Sequence, residues 1–142
     1  MATVNHLLRQ KGREVHTVSP DDSVFDAIRQ MAEKDVGSLV VIEDGRPVGI
    51  FTERHYARNV FLKGKSSPKT PVRDAMAIRP IFVLPEQTVE ECMAVMTRHR
   101  IRHLPVLEGE DLVGIVSIGD LVQSTIADQK FAIDQLEHYI RG

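Results

Sequence analysis

Apolar residues recur along this chain at two different spacings. Val24, Ala27, Ile28 and Met31 stand three or four apart, which predicts one buried face of a helix. From Gly37 to Ile42 the pattern becomes a continuous apolar strand, covered on both faces. Glu43-Asp44-Gly45-Arg46 reads as a hairpin turn, since Asp-Gly suits the type I′ geometry, and Pro47 to Phe51 as the return strand. Thr52 caps a helix predicted to reach about Phe61. Upstream, Thr3 to Lys11 predicts a short helix with Val4, Leu7 and Leu8 on one side, ended by Gly12. Val15 to Val18 predicts a short strand, and 19–23 a turn that ends as a helix cap.

A shift of 65 positions lays the chain on itself without a gap. Val48-Gly49-Ile50-Phe51-Thr52 falls on Val113-Gly114-Ile115-Val116-Ser117, and His55 on Asp120. Val24, Ala27, Ile28 and Met31 fall on Val89, Cys92, Met93 and Met96, and Pro20 falls on Pro85. Such self-similarity signals two copies of one supersecondary unit. The second copy predicts a shortened helix at Val72 to Met76, a strand at Ile81 to Val83 and a helix at Thr88 to Arg100. A hairpin of His103 to Leu107 and Leu112 to Val116 follows, then a last helix from about Ile118 to near Tyr139. The expected organisation is an α/β (α+β) fold of two β-α-β-β-α units packed sheet to sheet. Unit one covers 1–62, a linker without apolar residues 63–71, and unit two 72–142 with an extended C-terminal helix. Ile126, Phe131, Ile133, Leu136 and Ile140 on that helix need cover from this chain or a partner.

Composition narrows the function classes. Each copy alone would bury too little surface to be comfortably stable, so the copies should share a core. A net charge of −2 argues against general nucleic-acid affinity. No apolar run could span a membrane and no secretory h-region opens the chain, so neither a membrane partner nor export is expected and the cytoplasm is the default. Cys92 is the single cysteine, so an intramolecular disulfide is impossible; its place on an apolar stripe predicts core packing.

The chemistry gathers where strand gives way to helix. Ser117 ends an apolar strand and Asp120 follows one turn on, so a hydroxyl and a carboxylate would face one cleft. Backbone N–H groups at a helix start suit a phosphate, and a carboxylate can accept from both hydroxyls of a ribose diol. Thr52 and His55 repeat the arrangement without the carboxylate, with Arg54 able to reach a phosphate. Arg102 and His103 lie past the end of their helix and lead into a buried strand, where cations want an anionic partner. No Ser-His-Asp order, metal-ligand cluster or Walker loop is visible, so neither metal nor catalytic cofactor is expected.

The strand-end segments, with Val36-Gly37-Ser38-Leu39-Val40-Val41 and Arg102-His103-Leu104-Pro105-Val106, make the chain resemble the cystathionine-β-synthase (CBS) domain family. The whole chain looks like a stand-alone tandem pair of the small bacterial type. The resemblance implies two pseudo-symmetric clefts between the copies, which in many members take adenosine nucleotides. In one, Ser117 and Asp120 would hold phosphate and ribose, with adenine between Ile115 and His16, Thr17, Val36, Gly37 and Ser38. In the other, Thr52 and His55 take those roles, with adenine at Ile50, Ile81, Ile101 and His103. Arg102 and His103 stand where members place phosphate-binding cations. His55 departs from the pattern, where Asp is usual. The implied function is a non-catalytic regulatory module sensing AMP, ATP or NAD, working as a homodimer on a regulated protein the sequence does not name. Two alternatives stay open: an interaction protein with a vestigial cleft, and a nucleotide hydrolase using Thr52, Glu53 and His55.

Overall fold

Side-chain caps set where the α-helices begin. The structure, a computed structural model, describes residues 2–141. Thr3 accepts from the His6 N–H and opens α1, Val4–Lys11. Ser23 does the same for α2, Val24–Lys34, and Thr88 for α4, Val89–His99, where Glu91 reaches back to complete a capping box. The two longer repeat helices also end alike: Asp35 and Arg100 both turn left-handed, at φ 54° and 55°. Asp44 and Gly45, at φ 54° and 76°, supply the positive angles that a type I′ hairpin needs.

The chain divides into two compact units whose limits cut across the repeat. One unit takes Glu14–Ile81 and Gly109–Val113. It contains a four-stranded sheet ordered β1-β2-β3-β4, made of Thr17–Val18, Ser38–Glu43, Arg46–Thr52 and Ala77–Ile78. β1 runs parallel to β2, and the other neighbours are antiparallel. Val18, Val24, Ala27, Met31, Leu39, Val41, Phe51, Val60, Val72 and Ala75 form its core.

The other unit takes Met1–Arg13, Phe82–Glu108 and Gly114–Gly142. It holds β5, His103–Glu108, and the part of β6, Asp111–Ser117, from Gly114 onward. Val4, Leu7, Leu8, Val89, Cys92, Met96, Leu104, Val106, Val116 and Leu121 are buried. The N-terminal helix therefore joins the unit built on the second copy: Val4 N–H donates to the Gln87 carbonyl at 2.8 Å, and Thr3 bridges to Thr88. Residues 72–78 correspondingly join the first copy, with Arg73 paired to Asp21 at 2.6 Å and β4 added beside β3.

Two segments differ from the sequence reading. The strand expected at Ile81 to Val83 shrinks to one parallel bridge, Val83 to Val106. Pro80 and Pro85 bracket it, and proline has no N–H for a ladder. The helix after Thr52 keeps its α form over α3, Glu53–Tyr56, then widens to a π turn over Ala57–Phe61. The wide turn sends Val60 into the core while the Asn59 amide donates to the Ala75 carbonyl at 2.9 Å. The segment between the two copies is held by hydrogen bonds. Thr70 is buried, its carbonyl accepts from Val24 N–H, and the Tyr56 hydroxyl lies 2.9 Å from that of Ser67. The final helix, α5, runs Ile118–Arg141 with Leu121 buried and Ile126, Phe131, Ile133, Leu136 and Ile140 exposed.

Candidate functional site

At the end of β6 the chain turns into α5 through a reciprocal cap. The Ser117 hydroxyl accepts from the Asp120 N–H at 3.2 Å, and Asp120 Oδ2 accepts from the Ser117 N–H at 2.8 Å. The carboxylate is half-buried and has a second donor. Lys11 Nζ, on the last residue of α1, lies 2.7 Å from the same Oδ2 and 2.8 Å from the Ile115 carbonyl oxygen. Glycine permits this approach: a Cβ on Gly114 would stand 2.6 Å from Leu8 Cδ2, one turn before Lys11. The first N–H of α5 donates to the Arg102 carbonyl at 2.9 Å, fixing the start of β5 beside the helix start. Arg102 is exposed, and Ile101, His103 and Ile115 are half-buried.

The matching corner in the other unit uses the same backbone scheme with an imidazole. The Thr52 hydroxyl accepts from the His55 N–H at 3.2 Å, and His55 Nδ1 accepts from the Thr52 N–H at 3.1 Å. An N–H can only donate, so Nδ1 uses its lone pair and the neutral ring carries its proton on Nε2. Burial pushes the His55 pKa down from its ordinary value, and the nearby Arg58 and Arg54 push it further the same way. The Glu53 N–H donates to the Gly37 carbonyl at 3.3 Å, the same bond that joins Ile118 to Arg102 in the other copy. Gly49 takes the place of Gly114, and a Cβ there would meet the Ala77 carbonyl oxygen at 2.7 Å and Met76 Sδ at 2.8 Å.

Within each unit some of the residues singled out from sequence are neighbours. In the first, Ser38 lies opposite Thr52 and Val40 opposite Ile50, while Val40 donates to the His16 carbonyl and pairs with Thr17. His16, whose imidazole lies 3.7 Å from Glu14, is half-buried; Thr17 is exposed, and the Gln30 amide holds its carbonyl at 3.2 Å. Ile81 is half-buried and Arg54 exposed. Val36 and Gly37 also line an open hollow of about 480 Å³ with Ile28, Met31, Ala32, Asp35, Glu53 and Tyr56. In the other unit Ser117, Asp120, Ile115 and Arg102 share one corner. Sequence reasoning missed Lys11. Its partner is 109 residues away, and no local spacing announces such a pair.

Among the described residues no group of three or more His, Cys, Asp or Glu could hold a metal ion, and no helix is long and apolar enough to cross a membrane.

The CBS domain model matches this chain twice, over residues 11–61 and 72–126. The chain belongs to the CBS domain family. As a tandem CBS pair it is 36% identical over 149 residues to the mitochondrial CBS domain-containing protein CBSX3 of Arabidopsis thaliana, covering 99% of this chain and 72% of that one. Its backbone superposes on a CBS-domain protein from Burkholderia ambifaria, proposed to act in signal transduction, with a TM-score of 0.88 at 50% identity. That match covers 90% of this chain and 96% of the other. It also superposes on CBSX2, solved in complex with AMP, with a TM-score of 0.74 at 27% identity over 91% and 99% of the two chains. The two CBS copies here carry different acceptors at the matched corner, Asp120 in one and His55 in the other.

Proposed function

We propose that this chain is a non-catalytic regulatory module that binds an adenosine nucleotide, AMP, ATP or NAD, and passes energy or redox state to a protein it regulates. The Ser117–Asp120 corner carries the reading. A half-buried carboxylate is clamped by a backbone N–H at a helix start, with a hydroxyl three residues earlier and an ammonium beside it. A carboxylate can accept from both hydroxyls of a ribose, and the helix start and nearby cations favour a phosphate. The AMP complex of CBSX2, a protein of similar fold, supports the ligand class.

The second corner favours the same class of ligand with a different balance. Arg54 and Arg58 make the surroundings of His55 positive, which suits an anion. Its imidazole presents one N–H donor and cannot accept from a diol. With Nδ1 engaged and Nε2 protonated, His55 has no lone pair with which to activate water, which counts against the hydrolase alternative. Ligand binding would act by favouring one arrangement of the module over another.

The working form is a homodimer. Ile126, Phe131, Leu136 and Ile140 are 58–79% exposed along α5, and a second copy is the commonest cover for such a face. Light scattering at micromolar concentration should return twice the chain mass.

Calorimetry with AMP tests the central claim. One tight site per chain and a weaker or absent second one are expected, and Asp120→Ala should abolish the tight one. Two equal sites, or normal AMP binding by Asp120→Ala, would overturn the assignment of the ribose acceptor.

A further inference from the structure

We propose that Lys11 is a displaceable counter-ion: the ribose of a bound nucleotide takes its place on Asp120, and the freed ammonium pairs with the ligand's phosphate. The proposal rests on Asp120 being the ribose acceptor. Lys11 Nζ and the Ser117 N–H both point to Oδ2, at 2.7 and 2.8 Å. A diol that uses both carboxylate oxygens must therefore replace the ammonium on Oδ2. The backbone N–H is part of the helix cap and stays.

The exchange changes the charge balance. Lys11 would keep its bond to the Ile115 carbonyl but lose its anionic partner. A nucleoside offers no replacement. A nucleotide offers a phosphate, and the flexible four-carbon stem of lysine lets the ammonium turn to it while α1 stays docked through Leu8. Preference for phosphorylated ligands then arises from the ion pair that binding breaks, as well as from direct contacts. Both groups are partly open to solvent, at 33% and 20% side-chain exposure, so the swap needs no opening of the core.

The other copy supplies an internal control. The position matching Lys11 is Met76 and the position matching Asp120 is His55. Where the carboxylate is missing, the ammonium is missing too. Met76 there packs toward Gly49.

The test is calorimetry on the intact chain with AMP and with adenosine. Lys11→Met should weaken AMP about tenfold to a hundredfold while leaving adenosine as tight or tighter, so the AMP-to-adenosine ratio collapses. Lys11→Arg should keep the ratio. If Lys11 merely braces α1, Lys11→Met will lower the melting temperature and leave the ratio unchanged, which overturns the proposal. Asp120→Ala separates it from the reading it rests on. Loss of both ligands there with an unchanged ratio in Lys11→Met removes Lys11 alone. Wild-type binding by Asp120→Ala, or a wild type that binds neither ligand, removes both.

Discussion

The corners at Thr52 and Ser117 share a backbone and differ in charge. Each ends a strand at a hydroxyl residue, caps a helix reciprocally with the side chain three residues on, and bonds its first helical N–H to a carbonyl 16 residues earlier, Gly37 or Arg102. At Ser117 the cap is an anion paired with Lys11; at Thr52 it is an imidazole kept neutral by burial and by Arg58 and Arg54. Either group satisfies the helix start, because a capping side chain need only accept one hydrogen bond. The fold therefore leaves this position open to chemistry, and the two copies have used that freedom differently.

The largest expected effect separates the glycines behind the corners. A Cβ on Gly49 would press on a backbone oxygen, whereas one on Gly114 would press on the end of a leucine side chain. Gly49→Ala should cost about 3 kcal/mol and Gly114→Ala about 1 kcal/mol, read from urea melts; the reverse order would show that Leu8 yields less than β4. Next comes an attempt to equalise the corners. His55→Asp places a carboxylate between Arg54 and Arg58, and should tighten the weaker site roughly tenfold or more toward AMP. Calorimetry that still resolves unequal sites would locate the asymmetry elsewhere. Arg102→Ala should weaken AMP by about tenfold and adenosine less, since adenosine lacks the phosphate; equal losses would remove Arg102 from the site.

The smallest effect is a pH dependence belonging to one corner. His55 is held below its ordinary value of 6.5 in the folded chain, so the unfolded chain binds a proton more readily. Its contribution is neutral above pH 6.5, and stability falls as pH drops below that value. In His55→Gln this part of the fall should vanish. Melting curves between pH 7 and 5 that run parallel for both proteins would show that His55 titrates normally.

The parts of this fold legible in sequence were those with short-range causes. Asp44-Gly45 announces its hairpin, and Ser23, Thr52, Thr88 and Ser117 announce their helices because cap and partner lie three residues apart. The strand at 81–83 misled because its apolar character says nothing of the prolines beside it, and one bridge is all they leave. The π turn after Tyr56 depends on Asn59 meeting Ala75, a contact no periodicity carries. The exchange of α1 for residues 72–78 between the two units was illegible for the same reason. It rests on Val4 with Gln87 and Arg73 with Asp21, pairs distant in sequence. For the candidate site, the repeat disclosed Ser117, Asp120, Thr52 and His55 together, while Lys11 needed three dimensions.

The solitary thiol makes one of the two units observable in time. Cys92 is buried on α4, and burial with the nearby Glu91 pushes its pKa up to about 11. Attack on a thiol reagent requires thiolate, so at neutral pH the folded chain should react slowly, at a rate set by how often the surroundings of α4 open. Residues 14–81 and 109–113 contain no cysteine and are silent in that experiment. Labelling kinetics thus clock the opening of the Asp120 unit alone, and a ligand seated there should slow the clock even where it leaves the global melt unmoved.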